Sequence, residues 1–393
     1  MVSPLRLALY ALLALGLFVA CPTEPDPVVC PEYYHPCTDD PDICCPDTTS
    51  HEFVWEVYHL GELTSRLFDV YAASEDDIWA VGAIMHTDTI HADSSTTWRR
   101  KYNTAHWNGY EWELRRIPHS PLYPGGTIDT FYSDDMRSVY GFPPDSTIWF
   151  NANTASLTRW DGRDYTFFHP RYFGFGGVWE MWGPSDNILY LVGYNGGIAR
   201  YNGSYVSPMN TATDVYLRDV WGSSDGSYVW TCGYKVTDGA GSVLMLNDGI
   251  GWQTHWYQYY DENANLISDT TQSYVGHISS LWQATEDSLI VVGGNGIWWQ
   301  DIRGEGKAKP LKISLQGFPN KVRGSGRDNI FIVGSGGLIW HFNGATWKKY
   351  NEFNNPIYYF SSVAVLKDMV VIIGEDFSEG VQKDIIIIGR RME

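Results

Sequence analysis

Basic residues are scarce in this sequence, which has 27 lysines and arginines against 46 aspartates and glutamates and a formal net charge of −19 at pH 7. Nucleic acids and anionic lipid surfaces are bound through clusters of positive charge. The charge balance therefore argues against a nucleic-acid partner and against electrostatic attachment to a membrane. An acidic surface of this kind is typical of a soluble extracellular domain.

Short catalytic motifs are also missing, since the sequence contains no HExxH, EF-hand loop, Walker A or dinucleotide-binding fingerprint. The stretch Gly222–Gly226 matches G-x-S-x-G, but it lies in a predicted strand–strand hairpin, whereas the hydrolase motif requires a strand-to-helix turn. The histidines show no paired spacing typical of metal ligands. We therefore predict no catalytic residue, no metal and no cofactor, and we favour a binding protein over an enzyme.

The apolar run Leu7–Ala20 is shorter than the roughly 20 residues that a membrane-spanning helix needs. It follows Arg6, as the apolar region of a signal peptide follows its basic end. The run leads into Phe18-Val19-Ala20-Cys21, which resembles the lipobox of bacterial lipoproteins, although that motif prefers leucine where this chain has Phe18. An ordinary cleaved signal peptide is the alternative.

The lipobox resemblance implies that residues 1–20 are a lipoprotein signal peptide and that Cys21 carries acyl chains. The mature protein would then be anchored to a membrane by lipid alone, without spanning it. We therefore expect it in the bacterial cell envelope, exposed to the periplasm or to the cell surface.

Residues 21–50 form a predicted tether in which prolines alternate with acidic residues and no lysine or arginine occurs. Such a segment stays extended and holds the following domain away from the lipid. Its cysteines lack the Cys-x2-Cys spacing of zinc sites, and an exported chain favours disulfides. A bridge between the adjacent pair would be strained, so each of the first two is expected to pair with one of the last two, in either arrangement. The four cysteines are Cys30, Cys37, Cys44 and Cys45.

The segment Lys321–Tyr350 shows the repeated unit of the chain most clearly. It divides into four short strands, of which Ile330–Gly334 is the second and Leu338–Phe342 the third. Asn343-Gly344 then predicts a two-residue hairpin turn, because both turn positions of that type need a positive φ. Trp347 lies in the fourth strand, so the unit is a four-stranded antiparallel meander.

Similar units recur at a nearly constant spacing. Equivalent positions are offset by 69, 42, 39, 61, 41 and 41 residues, and the two long offsets contain insertions. A period near 40 of four-stranded units is the sequence signature of a β-propeller. The equivalent positions are Val70, Val139, Met181, Val220, Leu281, Val322 and Val363.

We therefore predict an all-β fold over residues 51–393, a seven-bladed β-propeller of four-stranded antiparallel blades. The last unit has no sequence for a fourth strand after Ile388, and Phe53–Val57 resembles the missing strand. An N-terminal strand that completes the last blade would close the ring without an open sheet edge. Cys232 lies in an apolar strand and is expected to be a buried free thiol.

Two repeat motifs carry a family resemblance. The patterns D-I-W-A-V-G at 77–82 and G-G-x-I-x-x-x-N-G-x-x-W at 336–347 resemble propeller lipoproteins of environmental bacteria. These proteins are loosely labelled glycosyl-hydrolase-like or galactose-oxidase-like propellers. The resemblance covers roughly residues 47–393 and implies the propeller fold, but it carries over no catalytic residue.

Long insertions fall on one predicted face of the ring. With the strands of a blade named A to D from the inside outward, the A–B and C–D turns share one face, and the B–C turns and D–A crossovers share the other. Ala83–Asn103 and Tyr234–Ser242 are predicted B–C loops, and Pro118–Tyr132, Phe168–Gly177 and Gln253–His277 are predicted crossovers. Long loops gathered on one side favour a functional surface, which we call the long-loop face.

These insertions are rich in aromatic, histidine and arginine residues, which suit binding hot spots and the flat faces of sugars. We therefore predict a non-catalytic module that binds a glycan or an extracellular protein. Packing of the loops on one another is the alternative role for any single aromatic. The predicted ligand-binding residues are Trp98, Arg99, Arg100, His119, Tyr123, His169, Arg171, Tyr172, Phe173, His255, Trp256, Tyr257, Tyr259 and Tyr260.

Two other functions fit the sequence. One is a structural scaffold for a cell-envelope complex, which a stoichiometric envelope partner would identify. The other is a carbohydrate-active enzyme of the glycoside-hydrolase type, which needs two carboxylates about 5–10 Å apart. The acidic residues predicted on the long-loop face are Asp129, Asp134, Asp135, Asp261 and Glu262.

Overall fold

A computed structural model describes the protein at residues 30, 34–36, 44–89, 97–119, 135–142, 147–153, 156–168, 174–235, 241–313 and 315–392. The chain divides into two compact units, Met1–Asp47 and Thr48–Glu393. Within the described residues, no helix is long and apolar enough to cross a membrane.

The described part of the first unit is a small disulfide-linked sheet. Strand β1 (Tyr34–Pro36) pairs with β2 (Cys44–Pro46) in antiparallel register. Cys30 and Cys44 form a disulfide, which is one of the two arrangements that the spacing allowed. Cys45 is also disulfide-bonded, whereas Cys37 and Cys21 lie outside the described residues.

The described residues of the second unit lie mostly in strands, together with three short 3-10 helices at Tyr194–Gly196, Asn351–Phe353 and Ser378–Gly380. The strands are β3 (Phe53–Tyr58), β4 (Arg66–Ser74), β5 (Asp77–Thr89), β6 (Thr97–Trp107), β7 (Trp112–Arg115), β8 (Met136–Phe142), β9 (Thr147–Ala152), β10 (Leu157–Trp160), β11 (Tyr165–Phe168), β12 (Val178–Ser185), β13 (Ile188–Gly193), β14 (Ile198–Tyr201), β15 (Val206–Met209), β16 (Leu217–Gly222), β17 (Val229–Lys235), β18 (Gly241–Asn247), β19 (Trp252–Tyr260), β20 (Leu266–Ser268), β21 (Ile278–Thr285), β22 (Ser288–Gly293), β23 (Gly296–Asp301), β24 (Lys309–Pro310), β25 (Pro319–Gly326), β26 (Asn329–Gly334), β27 (Leu338–Phe342), β28 (Trp347–Lys349), β29 (Tyr358–Val365), β30 (Met369–Asp376) and β31 (Lys383–Arg391).

In the described residues of this unit, the strands form seven antiparallel sheets of four or five strands, which we number as blades 1 to 7. They are β4–β7, β8–β11, β12–β15, β16–β20, β21–β24, β25–β28, and β29–β31 with β3. The first strand of each blade contacts the first strand of the next, and β29 contacts β4, so the sheets close into a ring. The predicted β-propeller class is therefore confirmed.

The ring is closed by the N-terminal strand, as the sequence predicted. Strand β3 pairs with β31 from Phe53 opposite Arg391 to Tyr58 opposite Ile386. The Asp384 carboxylate in β31 accepts the N–H groups of Leu60 and Gly61, each at 2.8 Å. The first and last strands of the propeller thus share one blade, and neither leaves an open edge there.

Apolar clusters between neighbouring blades form the core, with one cluster for each pair, including blades 7 and 1. The second strand of each blade supplies both of its clusters, because successive side chains point to opposite faces of a sheet. In β5, Trp79 and Val81 pack towards blade 2, whereas Ile78 and Ala80 pack towards blade 7. This explains why the second strands are continuous apolar runs. The thiol of Cys232 is buried in the cluster between blades 4 and 5, as its apolar strand predicted.

The turn between β27 and β28 differs from the prediction. It has four residues, because Phe342 pairs with Trp347. The Asn343 side-chain oxygen accepts the N–H groups of Ala345 and Thr346 at 3.1 and 2.8 Å, and within this turn only Gly344 has a positive φ, of 97°. The two-residue turn was wrong because the asparagine side chain, and not a second positive φ, satisfies the turn amides. The same side-chain contacts occur at Asn108, Asp161 and Asn202.

Each innermost strand contains a β-bulge near its start. In β25, Pro319 pairs with Gly334 and Lys321 with Val333, which leaves Asn320 without a partner residue in β26. Corresponding register shifts occur in the innermost strands of the other six blades. A bulge turns its extra side chain out of the regular alternation.

A glycine in the second strand, opposite the bulge, permits the close approach of the two backbones. A Cβ atom on Gly334 would lie 2.1 Å from the carbonyl oxygen of Phe318, far inside van der Waals contact. The repeated Val-Gly pattern therefore reflects a backbone contact and not a turn. The equivalent glycines are Gly82, Gly193, Gly233, Gly293 and Gly374, whereas blade 2 has Ala152 opposite Met136.

We predict that Gly334→Ala lowers the free energy of unfolding by about 1–3 kcal/mol, because the added methyl group forces the paired backbones apart. Urea denaturation followed by tryptophan fluorescence would measure the change. Gly176→Ala is the matched control, since a Cβ atom there meets nothing within 4 Å. Equal stability of the two variants would contradict this account of the repeated glycine.

Candidate functional site

The seven bulges point seven side chains, one from each blade, into a single cavity of about 450 Å³. The cavity lies where the innermost strands begin, and the last residues of β17 and β30 also contribute to it. This is the end of the ring at which the B–C turns and D–A crossovers meet. We call it the bulge-lined cavity. Its bulge residues are Phe68, Arg137, Trp179, Arg218, Ser279, Asn320 and Ser361.

One side of the bulge-lined cavity is a stack in which arginines alternate with aromatic rings. The guanidinium carbon of Arg137 lies 3.7 Å from the ring centre of Trp179 and 4.4 Å from that of Phe68. The guanidinium carbon of Arg218 lies 4.1 Å from the ring centre of Trp179 and 4.7 Å from that of Tyr234. Trp179 is therefore held between two cations. We call these five residues the arginine–aromatic stack.

The two arginines of the stack make no hydrogen bond and no ion pair with any described residue, and the Nε of Arg218 is buried without a hydrogen-bond partner. Burial lowers the pKa of Arg137 to about 10, so the side chain still carries its charge at neutral pH. Arg66 differs from these two arginines because it has a carboxylate partner. Its guanidinium carbon lies 4.9 Å from the ring centre of Phe68, and its side chain pairs with Asp135 at 3.1 Å. The stack thus presents two positive charges that form no ion pair with the described residues.

Buried ion pairs form the floor of the cavity. Arg323 donates two hydrogen bonds to the Asp219 carboxylate, at 2.7 and 2.9 Å. Lys321 pairs with Asp219 at 3.3 Å and also with Glu180. Asp69 accepts the hydroxyl of Ser362 at 2.7 Å and a backbone N–H at 3.0 Å. Every charged group of the floor therefore has partners within the protein.

The floor also separates two cavities. Asp69 and Glu180 line both the bulge-lined cavity and a second cavity of about 480 Å³ that opens among Tyr71, Tyr140 and Trp221. Burial, reinforced by the Asp69 charge, raises the pKa of Glu180. Burial also disfavours ionised Asp219, but Arg323 and Lys321 outweigh it and hold the pKa of Asp219 below its usual value. The basic groups thus stabilise ionised Asp219, whereas burial and the acidic neighbours disfavour the ionised form of Glu180.

The described residues of the insertion at Ala83–Asn103 form strands and not a loop. They lengthen strands β5 and β6, which pair from Ile84 opposite Tyr102 to Thr89 opposite Thr97. Arg100 is exposed on this hairpin, whereas the side chains of Trp98 and Arg99 lie outside the described part. The prediction of a loop was wrong because the insertion satisfies its backbone groups by antiparallel pairing.

Two predicted ligand-binding residues are core residues instead. His119 is fully buried, and Trp256 is fully buried in the cluster between blades 4 and 5, with its ring centre 5.7 Å from that of Tyr274. His255 is half-buried against Trp230, and burial lowers its pKa. The prediction failed because Gln253–His277 begins as strand β19 and continues to a fifth strand, β20. Alternation along β19 then turns Trp256 into the core.

Three predicted tyrosines do reach the surface and line a groove of their own. Tyr257 and Tyr259 are exposed and stacked, with ring centres 6.0 Å apart and planes 27° apart. Tyr260 is also exposed, and all three line a cavity of about 530 Å³ that also contains Lys235. Lys235 pairs there with Asp214 at 3.1 Å. This tyrosine groove shares no lining residue with the bulge-lined cavity.

The remaining predicted ligand-binding residues fall outside the described residues. They are Tyr123, His169, Arg171, Tyr172 and Phe173. Their role stays a prediction. Among the residues that the structure does describe, no cluster of three His, Cys, Asp or Glu side chains could hold a metal ion.

Sequence reasoning missed the bulge-lined cavity, although the repeat alignment contained the signal. Each bulge residue stands two positions before the aligned apolar residue of its unit, as Arg137 precedes Val139 and Trp179 precedes Met181. In an alignment of the repeats, the residues at this position are the seven bulge residues that line the cavity.

Comparisons with known proteins agree with the fold. No protein-family model matches the chain, and no curated protein sequence matches it. Among solved structures, YCF48 bound to D1 peptide has a TM-score of 0.58 and 14% identity, covering 88% of this chain and 100% of that one. A catalytically inactive virginiamycin B lyase from Staphylococcus aureus with quinupristin has a TM-score of 0.55 and 11% identity, covering 87% of this chain and 100% of that one. The WD40 β-propeller domain of Doa1 has a TM-score of 0.54 and 10% identity, covering 87% of this chain and 98% of that one. At these identities the likeness shows the β-propeller fold.

We predict that Arg323→Gln lowers the free energy of unfolding by about 3–5 kcal/mol, because the buried Asp219 carboxylate loses the cation that donates two hydrogen bonds to it. Urea denaturation measures the change. Arg303→Gln is the control, since Arg303 is exposed and pairs with exposed Asp287, and it should leave stability unchanged. Similar small effects of both substitutions would show that the buried pair contributes little.

Proposed function

We propose that this protein is a non-catalytic binding module of the bacterial cell envelope that takes a segment of a polypeptide partner into the bulge-lined cavity. The observation that carries the proposal is the set of seven bulges, which places one side chain from each blade in one cavity. Bulges of this kind are common beside functional sites, where they re-aim a side chain.

The chemistry of the cavity supports a polypeptide ligand. Arginine, tryptophan and tyrosine are the residue types most often found in binding hot spots, and Arg137, Trp179, Arg218 and Tyr234 are grouped along one wall. A volume of about 450 Å³ accommodates a few side chains of an extended segment. The YCF48 structure contains a D1 peptide, which supports a peptide as the kind of occupant that such a ring accepts.

A glycan at the tyrosine groove is the second candidate. The exposed, stacked rings of Tyr257 and Tyr259 offer flat faces for sugar rings, and Tyr260 and Lys235 lie in the same groove. This candidate keeps three of the residues that the sequence predicted for ligand binding.

The hydrolase alternative has less support from the described carboxylates. Asp261 accepts the N–H groups of Asn263 and Asn265 at 2.9 and 2.8 Å and so caps a turn. Asp135 pairs with Arg66 and Lys101, at 3.1 and 2.5 Å. These contacts give both carboxylates a structural role.

A paired screen tests the binding proposal. The full chain would be presented to a random peptide library and to a glycan array, together with Trp179→Leu and Tyr259→Ser. We expect the enriched peptides to bind Trp179→Leu at least tenfold more weakly than the wild type, because Trp179 lines the bulge-lined cavity. Tyr259→Ser should leave their affinity unchanged, because Tyr259 does not line that cavity. Glycan hits that depend on Tyr259, without peptide hits, would favour the tyrosine groove and contradict the peptide proposal.

The location is a separate proposal that rests on Cys21. In a bacterial host, we expect the chain to incorporate labelled palmitate and to sediment with membranes, since acyl chains supply its only proposed anchor. Cys21→Ser should abolish the label and move the protein to the soluble fraction. Equal labelling of the two forms, or a soluble unlabelled wild type, would contradict lipid anchoring.

A further inference from the structure

Within the described residues, the N–H edges of the two guanidinium groups in the arginine–aromatic stack have no partner. Trp179 covers one face of Arg137 and one face of Arg218, with distances of 3.7 and 4.1 Å to the ring centre. The ring of Phe68 lies against Arg137, and the ring of Tyr234 lies against Arg218. Stacking engages only the faces of a planar guanidinium, whereas all five of its N–H donors point outward in its plane.

These donors have no acceptor within the described part of the protein. Burying a cation without a partner is unfavourable, and proteins normally avoid it. The chain does provide carboxylates for other arginines, as the pairs Arg66–Asp135 and Arg323–Asp219 show. The half-buried charges of Arg137 and Arg218 therefore remain available to a ligand in the cavity that they line.

The carboxylates that line the same cavity are already engaged. Glu180 pairs with Lys321, and Asp69 accepts hydrogen bonds from Ser362 and a backbone amide. Glu375 accepts a hydrogen bond from Gln382 at 2.8 Å. Burial raises the pKa of Glu375 and outweighs the opposing charge of Arg137, and the two side chains form no ion pair. The wall formed by the stack is therefore positive, in a protein whose net charge is −19.

We propose that Arg137 and Arg218 bind a carboxylate of the polypeptide partner through their free N–H edges. This inference rests on the function proposed above and gives its ligand a chemical class. A carboxylate matches the planar guanidinium edge and accepts two parallel hydrogen bonds from it. The polypeptide can supply that group from an acidic side chain or from its C-terminus.

The wild-type protein alone can test the inference with three synthetic peptides. A Gly-Ser-Glu repeat blocked at both ends carries only side-chain carboxylates. A Gly-Ser-Gln repeat with a free C-terminus carries only the terminal carboxylate, and the same repeat blocked at both ends carries none. Titration calorimetry on the full chain would measure each affinity.

We expect at least one carboxylate peptide to bind at least tenfold more tightly than the fully blocked Gln peptide, and to weaken as salt is raised. Preference for the Glu peptide identifies an acidic side chain as the source, and preference for the free Gln peptide identifies the chain terminus. Equal affinity for all three peptides, or no binding of either carboxylate peptide at millimolar concentration, overturns the inference.

Matched variants locate the binding. Arg137→Gln and Arg218→Gln should each reduce the affinity for the preferred peptide at least tenfold, whereas Arg66→Gln, which removes an arginine already paired with Asp135, should leave it within about twofold. Arg137→Lys retains the charge without the planar edge and should bind with intermediate affinity. Thermal unfolding of each variant would establish that it is folded. Equal losses in Arg66→Gln and Arg137→Gln would overturn the assignment.

The two proposals can fail separately. If the fully blocked Gln peptide binds as tightly as the others and Trp179→Leu weakens it, the cavity binds polypeptide without a carboxylate, so only the carboxylate inference falls. If neither these probes nor the peptide library binds, the polypeptide proposal falls as well.

Discussion

The architecture of the site depends on one backbone constraint, the bulge at the start of every innermost strand. A bulge adds a residue that the second strand cannot pair, and the backbones then approach so closely that a Cβ atom on Gly334 would lie 2.1 Å from a carbonyl oxygen. Because the same constraint recurs around the ring, seven extra side chains converge on one axis. The repeated glycine and the composite cavity are thus two results of one backbone feature.

Arginine has two distinct roles in the middle of this ring. Arg323 of blade 6 is buried with Asp219 of blade 4 and links these two blades through paired charges. Arg137 and Arg218 are stacked on Trp179, with no counter-ion among the described residues. The charged groups of the cavity floor therefore have partners within the protein, whereas the two arginines of the wall form no ion pair with a described residue. This difference between adjacent layers is the basis for proposing that the cavity binds a ligand.

Predictions about the blades were more accurate than predictions about the insertions. The third strand of the clearest repeat, Leu338–Phe342, has the predicted bounds, and β3 completes the last blade. By contrast, Ala83–Asn103 extends two strands, and Trp256 packs in the core. The strands of the blades can be predicted from sequence because their apolar runs repeat many times along the chain. Each insertion occurs only once in the chain. No second copy of it is therefore available for comparison, and its strand pairing and burial cannot be predicted from a repeated pattern.

The sequence by itself determined the propeller class and the strand that completes the last blade, because repeat period and apolar alternation are local properties of the chain. Only the tertiary structure decided which side chains meet. Arg137 and Trp179 are far apart in sequence, yet the bulges of neighbouring blades bring their side chains to 3.7 Å. Arg323 and Arg218 likewise both lie in innermost strands. Arg323 pairs with the Asp219 carboxylate, whereas Arg218 forms no ion pair with a described residue, and only the folded ring reveals this difference. Charge pairing across blades is set by the ring's geometry, which no single repeat contains.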